Sequence, residues 1–291
     1  MNRLLLTGAS GMLGTALSAE LAGDPASPDV LPYGRDRLDL RYPDGVREVI
    51  RQEKPDIVVN CAAWTAVDDA EAHEIDALAV NGGGVRALAT ACAEVGARLF
   101  HISTDYVFDG TASTPYAEDA APRPVNAYGR SKLAGERAVL GLLPKDGYVL
   151  RSAWLYGAGG RNFVQTMIAL ERARETVDVV DDQLGQPTWT ADLAAQLLRL
   201  ARADDAPPGV YHGTSSGQVT WYGLAREIFT LLGADPGRVR PVSSADFPRP
   251  APRPAYGVLG HDRWAFAGLP PIRHWRDALH AAWPSITGGL A

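Results

Sequence analysis

Cysteine and lysine are both scarce in this chain, and no apolar run is long enough to cross a bilayer. The two cysteines, Cys61 and Cys92, form no CxxC pair. That spacing argues against a disulfide framework and against a cysteine-based zinc site. Each lies in an apolar stretch, where a buried thiol is expected. Nothing in the sequence calls for a metal. Lys and Arg together number 28 against 34 acidic residues, for a net charge of −6, and the positive residues never cluster. A nucleic-acid partner leaves a basic footprint, so that class is set aside. The opening Met1-Asn2-Arg3 runs into a short apolar segment and then Gly8, whereas a signal peptide needs a longer apolar core. No stretch reaches the length of a membrane span. The expectation is a cytoplasmic protein with no membrane partner. Hydrophobic residues make up 46% and charged residues 21% of the 291 positions. These are ordinary globular values, and the length allows one large domain or two intimate ones.

What is present is alternation. Leu4-Leu5-Leu6 is a short buried strand ending at glycine, and Met12 to Leu21 has helical spacing. Val30-Leu31 begins a second strand, weakened by Pro32, and Val46, Val49 and Ile50 share a helix face. Ile57-Val58-Val59-Asn60 is a third strand, Ala77 to Ala93 a long Ala-rich helix, and Leu99 to Ile102 a fourth strand. Asn126 to Leu142 is a helix, and Tyr148-Val149-Leu150 a further strand. Continuous apolar strands alternating with helices predict an α/β fold, a Rossmann-type doubly wound parallel sheet covered on both faces. Beyond Trp154 the texture changes. A helix over Asn162–Ala173, a strand over Val177–Val180 and a helix over Ala191–Arg202 precede a Pro- and Trp-rich last third. The expected division is a dinucleotide-binding domain over 1–152, with 177–203 returning to it, and a smaller substrate domain over 153–176 and 204–291. Gly82-Gly83-Gly84 interrupts the Ala-rich helix, at a cost of roughly 1 kcal/mol per glycine relative to alanine.

The first strand runs into Gly8-Ala9-Ser10-Gly11-Met12-Leu13-Gly14, a GxxGxxG turn that opens a helix. Glycines let a backbone approach a pyrophosphate, and the helix N-terminus offers unpaired N–H groups and the positive end of its dipole. Between strand and helix, this turn is a dinucleotide site. At the tip of the second strand stands Tyr33-Gly34-Arg35-Asp36. Arginine there suits a 2′-phosphate, which points to NADPH with NADH as the alternative; Arg35 also reads as an ordinary solvated arginine. Asp39 and Leu40 are placed along the adenine, and Ala62 and Ala63 along the cofactor groove. Tyr128-Gly-Arg-Ser-Lys132 sets a tyrosine and one of only three lysines four residues apart on one helix face. An ammonium near a phenol favours the phenolate and makes it a usable acid or base. Ser103 and Thr104, at the carboxyl end of the fourth strand, are placed to face the nicotinamide and a substrate carbonyl.

These segments resemble the extended short-chain dehydrogenase/reductases, and more closely the dTDP-4-dehydrorhamnose reductases and related nucleotide-sugar 4-ketoreductases. The resemblance is carried by Leu6–Gly14, Asn60–Asp68, Ser103-Thr-Asp-Tyr-Val-Phe-Asp-Gly110, Tyr128–Lys132, Arg151–Gly157, Asn162–Val164 and Asp182-Gln-Leu-Gly-Gln-Pro-Thr188. Arg253-Pro254 and Trp275 with Ala278-Leu279 fit as well. It implies Thr104, Tyr128 and Lys132 as the catalytic triad. It implies Asp105, Tyr106 and Trp154 as sugar-nucleotide contacts, Thr65 and Val67 as a loop beside the active site, and Arg161 and Gln183 as substrate-domain contacts. The implied substrate is a dTDP-4-keto-6-deoxyhexose, and the protein a monomer or homodimer. Some members carry a glutamate soon after the turn, linked to a metal-assisted dimer; here that place is Thr15. Two rivals remain at this point. One is an NAD-retaining epimerase or dehydratase of the same fold, disfavoured because Thr104-Asp105 has no adjacent glutamate. The other is a non-catalytic dinucleotide-binding subunit, disfavoured because both Tyr128 and Lys132 are present.

Overall fold

The computed structural model describes residues 3–288. Six parallel strands form its centre: β1 (Arg3–Thr7), β2 (Asp29–Tyr33), β3 (Ile57–Asn60), β4 (Arg98–Thr104), β5 (Gly147–Ser152) and β6 (Gly209–His212). They lie in the order β6-β5-β4-β3-β1-β2. Leu4 is in register with Val30 on one side and Ile57 on the other. Successive side chains point to opposite faces, and both faces are covered. Leu4 and Leu6 pack with Leu13 and Leu17 of α1 (Met12–Ala22) and with Leu193 and Leu197 of the helix Thr190–Arg202. Leu5 packs the other way, with Val46 and Ile50 of α2 (Pro43–Glu53), Leu88 of α3 (Val85–Val95) and Val139 of α4 (Ala127–Leu142). The expected Rossmann-type sheet is therefore the observed one. Pro32 is tolerated because β2 is the sheet edge, where a missing N–H leaves no ladder bond unmade. The chain reverses direction across the sheet between β1 and β3, which is where open parallel sheets bind ligands.

A second core lies beyond the carboxyl ends of these strands. Val177 and Val179 meet Val164, Ile168, Leu224, Phe229 and Leu279 there. The strand Val177–Val180 pairs with Val239–Val242, not with the central sheet. It thus belongs with the smaller unit, whereas the helix Thr190–Arg202 that follows packs on the central sheet. The strand β6 departs from expectation in the opposite sense. It pairs with β5 and closes the central sheet, although it falls within the 204–291 span assigned to the substrate domain. Both departures have one cause: the partner of a parallel strand is remote in sequence and leaves no local mark.

The Ala-rich helix is not continuous. Glu74–Leu78 is α-helical, Ala79–Gly84 widens to a π-helix, and α3 resumes at Val85. A π-turn of this kind needs a packing reason, and the glycines provide it. A methyl group on Gly84 would sit 2.5 Å from the Leu40 carbonyl oxygen, and one on Gly82 would sit 3.1 Å from Ala134 Cβ on α4. On Gly83 the nearest atom would be 3.9 Å away. The widened turn also carries buried Asn81, which accepts from the Trp64 N–H at 2.8 Å and donates to the Trp64 carbonyl at 3.0 Å. Gly84→Ala is expected to lower stability by about 1–3 kcal/mol through overpacking. Gly83→Ala should be neutral or stabilising by up to about 1 kcal/mol through backbone entropy. Thermal unfolding of the two variants separates them, and equal melting temperatures would contradict the Leu40 contact.

Candidate active site

A cavity of about 690 Å³ opens at the carboxyl ends of the strands. Its floor is the glycine turn: Gly8, Ser10, Gly11, Met12, Leu13 and Gly14 line it. Gly8 has φ +65°, and a Cβ there would lie 2.6 Å from the Ala62 nitrogen, so only glycine lets β1 and the segment after β3 approach this closely. The first turn of α1 contains no acidic residue, and its N-cap Gly11 has no side chain to satisfy the first amides. Those donors are therefore left for an anion. Arg35, Asp39 and Leu40 stand at one rim, with Ala62, Ala63, Thr65 and Val67 along the groove. The Arg35 side chain is 73% exposed and lies 3.5 Å from Asp39. Asp39 is held chiefly by the Arg41 guanidinium, which brings its carboxyl down to about 2.

The YxxxK helix enters from the other side. Asn126 caps α4 by accepting from the Gly129 N–H at 2.8 Å and ties it to the Pro-rich segment by donating to the Pro252 carbonyl at 2.9 Å. Tyr128 and Lys132, one turn apart, both reach the cavity, as do Ser103, Thr104, Asp105 and Tyr106 at the end of β4. Thr104 donates to Asp105 at 3.0 Å and accepts from the Tyr106 N–H at 3.2 Å. Tyr106 meets Tyr128 edge-on, with ring centroids 5.8 Å apart. Burial pushes the Asp105 carboxyl up to about 7. Burial and Asp105 together raise the Tyr128 phenol, and the Thr104 hydroxyl opposes them. This differs from the expectation that Lys132 would lower it: the lysine is turned toward the sheet, where its Nζ donates to the Ile102 carbonyl at 2.5 Å. Burial brings Lys132 itself down to about 8.

Trp154 and Arg161 complete the wall. Trp154 has φ +47°, a left-handed conformation that is an outlier for so bulky a residue. Its ring stacks on Trp221 with centroids 3.5 Å apart and planes at 10°, and it presses so closely on Gly185 that a Cβ there would be 2.5 Å from the indole.

Residues 1–287 match the family model for the RmlD substrate binding domain. The chain belongs to that family. It is 56% identical to the dTDP-4-keto-6-deoxy-D-glucose reductase of Streptomyces niveus, with 98% of each chain covered. It is 55% identical to the dTDP-4-dehydrorhamnose reductase of Streptomyces griseus, covering 98% of this chain and 94% of the relative. In three dimensions it matches a dTDP-4-dehydrorhamnose reductase from Bacillus anthracis solved in complex with NADP. The TM-score is 0.92 at 38% identity, over 97% of this chain and 99% of that one.

Within this RmlD-family fold, one expected contact lies elsewhere. Gln183 is not at the cavity; it accepts from the Trp221 indole N–H at 3.2 Å and donates to Ser244 at 2.8 Å. Its side chain fixes the ring on which Trp154 rests. Cys61 also departs from expectation, since it is only partly buried and lines the cavity. Burial nevertheless pushes its thiol up to about 12, which disfavours the thiolate. Other lining residues are not singled out by the sequence as site residues: Leu38, Trp64, Val80, Ile102, Ser152, Ala153, Leu155 and Gly160. Nor is the pairing of Arg253 with Asp68 at 3.0 Å, which pins the loop after β3 to the Pro-rich segment. Among the described residues, no helix is long and apolar enough to cross a membrane.

Proposed function

We propose that this chain is an NADPH-dependent reductase of the C4 ketone of a dTDP-4-keto-6-deoxyhexose. The observation that carries the reading is the convergence of Thr104, Tyr128 and Lys132 on the same cavity as an uncapped, acid-free helix N-terminus. The names of the relatives point the same way. The residues fit the cofactor. The Gly8 turn admits a pyrophosphate to the α1 amides, Arg35 stands at the rim for a 2′-phosphate, and Thr65 and Ser103 lie along the groove. When bound, NADPH supplies the hydride.

The chain supplies the rest. Tyr128, held protonated by burial, donates its proton to the oxygen that becomes the hydroxyl. Thr104 orients that oxygen by hydrogen bonding. Lys132 holds the nicotinamide ribose. Asp105, Tyr106, Val67, Trp154 and Arg161 hold the sugar nucleotide, with Gln183 acting through Trp221. Remote binding of the nucleotide keeps C4 in place, so a free ketone should lose turnover as well as affinity.

The favoured sugar is the L-form made by epimerisation at C3 and C5. The Streptomyces niveus relative, named for the D-sugar, keeps the unepimerised D-sugar as the second reading. The test supplies dTDP-4-keto-6-deoxyglucose with and without a 3,5-epimerase and follows NADPH absorbance. Consumption only with the epimerase is the expected result. Consumption without it identifies the D-sugar reductase. No consumption in either arm, with NAD retained through purification, overturns the reductase reading in favour of an epimerase.

A further inference from the structure

Behind Lys132 a buried polar chain runs into the sheet. Lys132 Nζ lies 3.5 Å from His101 Nε2, and His101 Nδ1 lies 2.9 Å from the Asn60 side-chain amide nitrogen. Asn60 Oδ1 accepts from the Thr7 hydroxyl at 2.5 Å and from the Ala62 N–H at 3.2 Å. Thr7, Asn60 and His101 are fully buried, and Lys132 is 2% exposed.

This chain fixes a tautomer. A backbone N–H can only donate, so the atom of Asn60 facing Ala62 is its oxygen and the atom facing His101 is its NH₂. That NH₂ donates to Nδ1, so a neutral His101 carries its proton on Nε2. The Nε2–H then points at Lys132. An ammonium has three N–H donors and no acceptor, so it meets the imidazole donor-to-donor, whereas a neutral amine turns its lone pair to that hydrogen. The chain ends at buried Thr7, so it is no route for protons to solvent.

We infer that His101 is a positioning residue that sets the protonation of Lys132, through an Nε2–H that Asn60 aims at the lysine. The inference rests on the reading of Lys132 as part of the reduction machinery. Burial and the Lys132 charge hold the imidazole well below its ordinary value, so it stays neutral. The other titratable groups acting on Lys132 are Glu136, one turn on along α4, and Cys61 just after β3; both favour its charged form, as does the Ile102 carbonyl that accepts from Nζ. Glu136 is already committed to Arg151, at 2.8 Å. On the far side of Tyr128, Asp105 titrates near 7 and adds its own step to any activity profile.

His101 therefore places the alkaline limit of the reduction, where the Lys132 ammonium is lost, at lower pH than burial alone would. Two replacements test this. His101→Asn keeps an acceptor for Asn60 and removes the N–H facing the lysine. His101→Gln brings an amide oxygen to the Nε2 position, where it accepts from the ammonium. With only three lysines, two of them (Lys54 and Lys145) exposed, ¹³Cε-lysine NMR reads the Lys132 titration directly in the NADP-bound protein. The expected result is a rise of about one pH unit or more in both variants, with the alkaline limb of kcat/KM moving by the same amount. An unmoved Lys132 titration in both variants, whatever happens to kcat, overturns the inference. Because the NMR readout needs no turnover, failure of the reductase reading shows itself in the activity assay and is recognised separately from an unmoved Lys132 titration.

Discussion

Replacing Tyr128 with phenylalanine is expected to lower kcat by about 10²–10⁴-fold, the usual contribution of a positioned proton donor. The ring sits against Tyr106 and is part of a small cluster with Ala70, Ala77 and Ala127, all of which phenylalanine retains. Melting temperature and NADPH binding should therefore stay close to those of the parent. Only the hydroxyl that faces Thr104 is lost. The loss should fall on kcat and kcat/KM alike, as it does when an interaction made in the transition state is removed. Steady-state kinetics with the dTDP-keto sugar, beside dinucleotide titration, makes the comparison. Near-parental turnover would remove Tyr128 from the proton transfer.

The largest effect on stability is expected at Glu136→Gln. Glu136 and Arg151 form a bidentate pair whose side chains are 2% and 3% exposed. Arg151 also donates to His212 Nε2 at 3.4 Å and lies 4.9 Å over the Phe108 ring. Glutamine keeps the shape and an acceptor for the Ser103 hydroxyl, which donates to Glu136 at 2.5 Å. It leaves the guanidinium as an uncompensated buried charge, at a cost of about 3–5 kcal/mol. For a chain of this size the melting temperature should fall by roughly 10 °C. Replacing both partners with apolar residues should recover much of that, because the penalty belongs to the orphaned charge. A single variant that melts within a degree or two of the parent would show that water reaches Arg151.

The parts legible in the sequence are those whose signal is local. The Gly8–Gly14 turn joins β1 to α1 without an intervening residue. Tyr128 and Lys132 are one helical turn apart, and Thr104 ends a strand whose position in a parallel sheet puts it at the ligand face. Each needs only its neighbours to be recognised. What is not legible in the sequence needs a distant partner. Val177–Val180 looks like any buried strand until Val239–Val242 is known to pair with it. Gly82 and Gly84 look like flaws in a helix until Ala134 and Leu40 are placed against them. Gln183 looks like a ligand contact until the Trp221 indole claims its oxygen.

The left-handed backbone at Trp154 bears on redesign. A residue in that conformation stores on the order of 1–3 kcal/mol unless it is glycine. Here the stack on Trp221 holds it in place. Trp154→Gly would release the strain while giving up the stack, worth about 0.5–1.5 kcal/mol beyond the lost burial. The position is therefore one where the cavity wall can be set back with part of the stability cost offset in advance. With Trp154 at the sugar nucleotide as proposed, bulkier or branched hexoses are the natural candidates for a variant widened there.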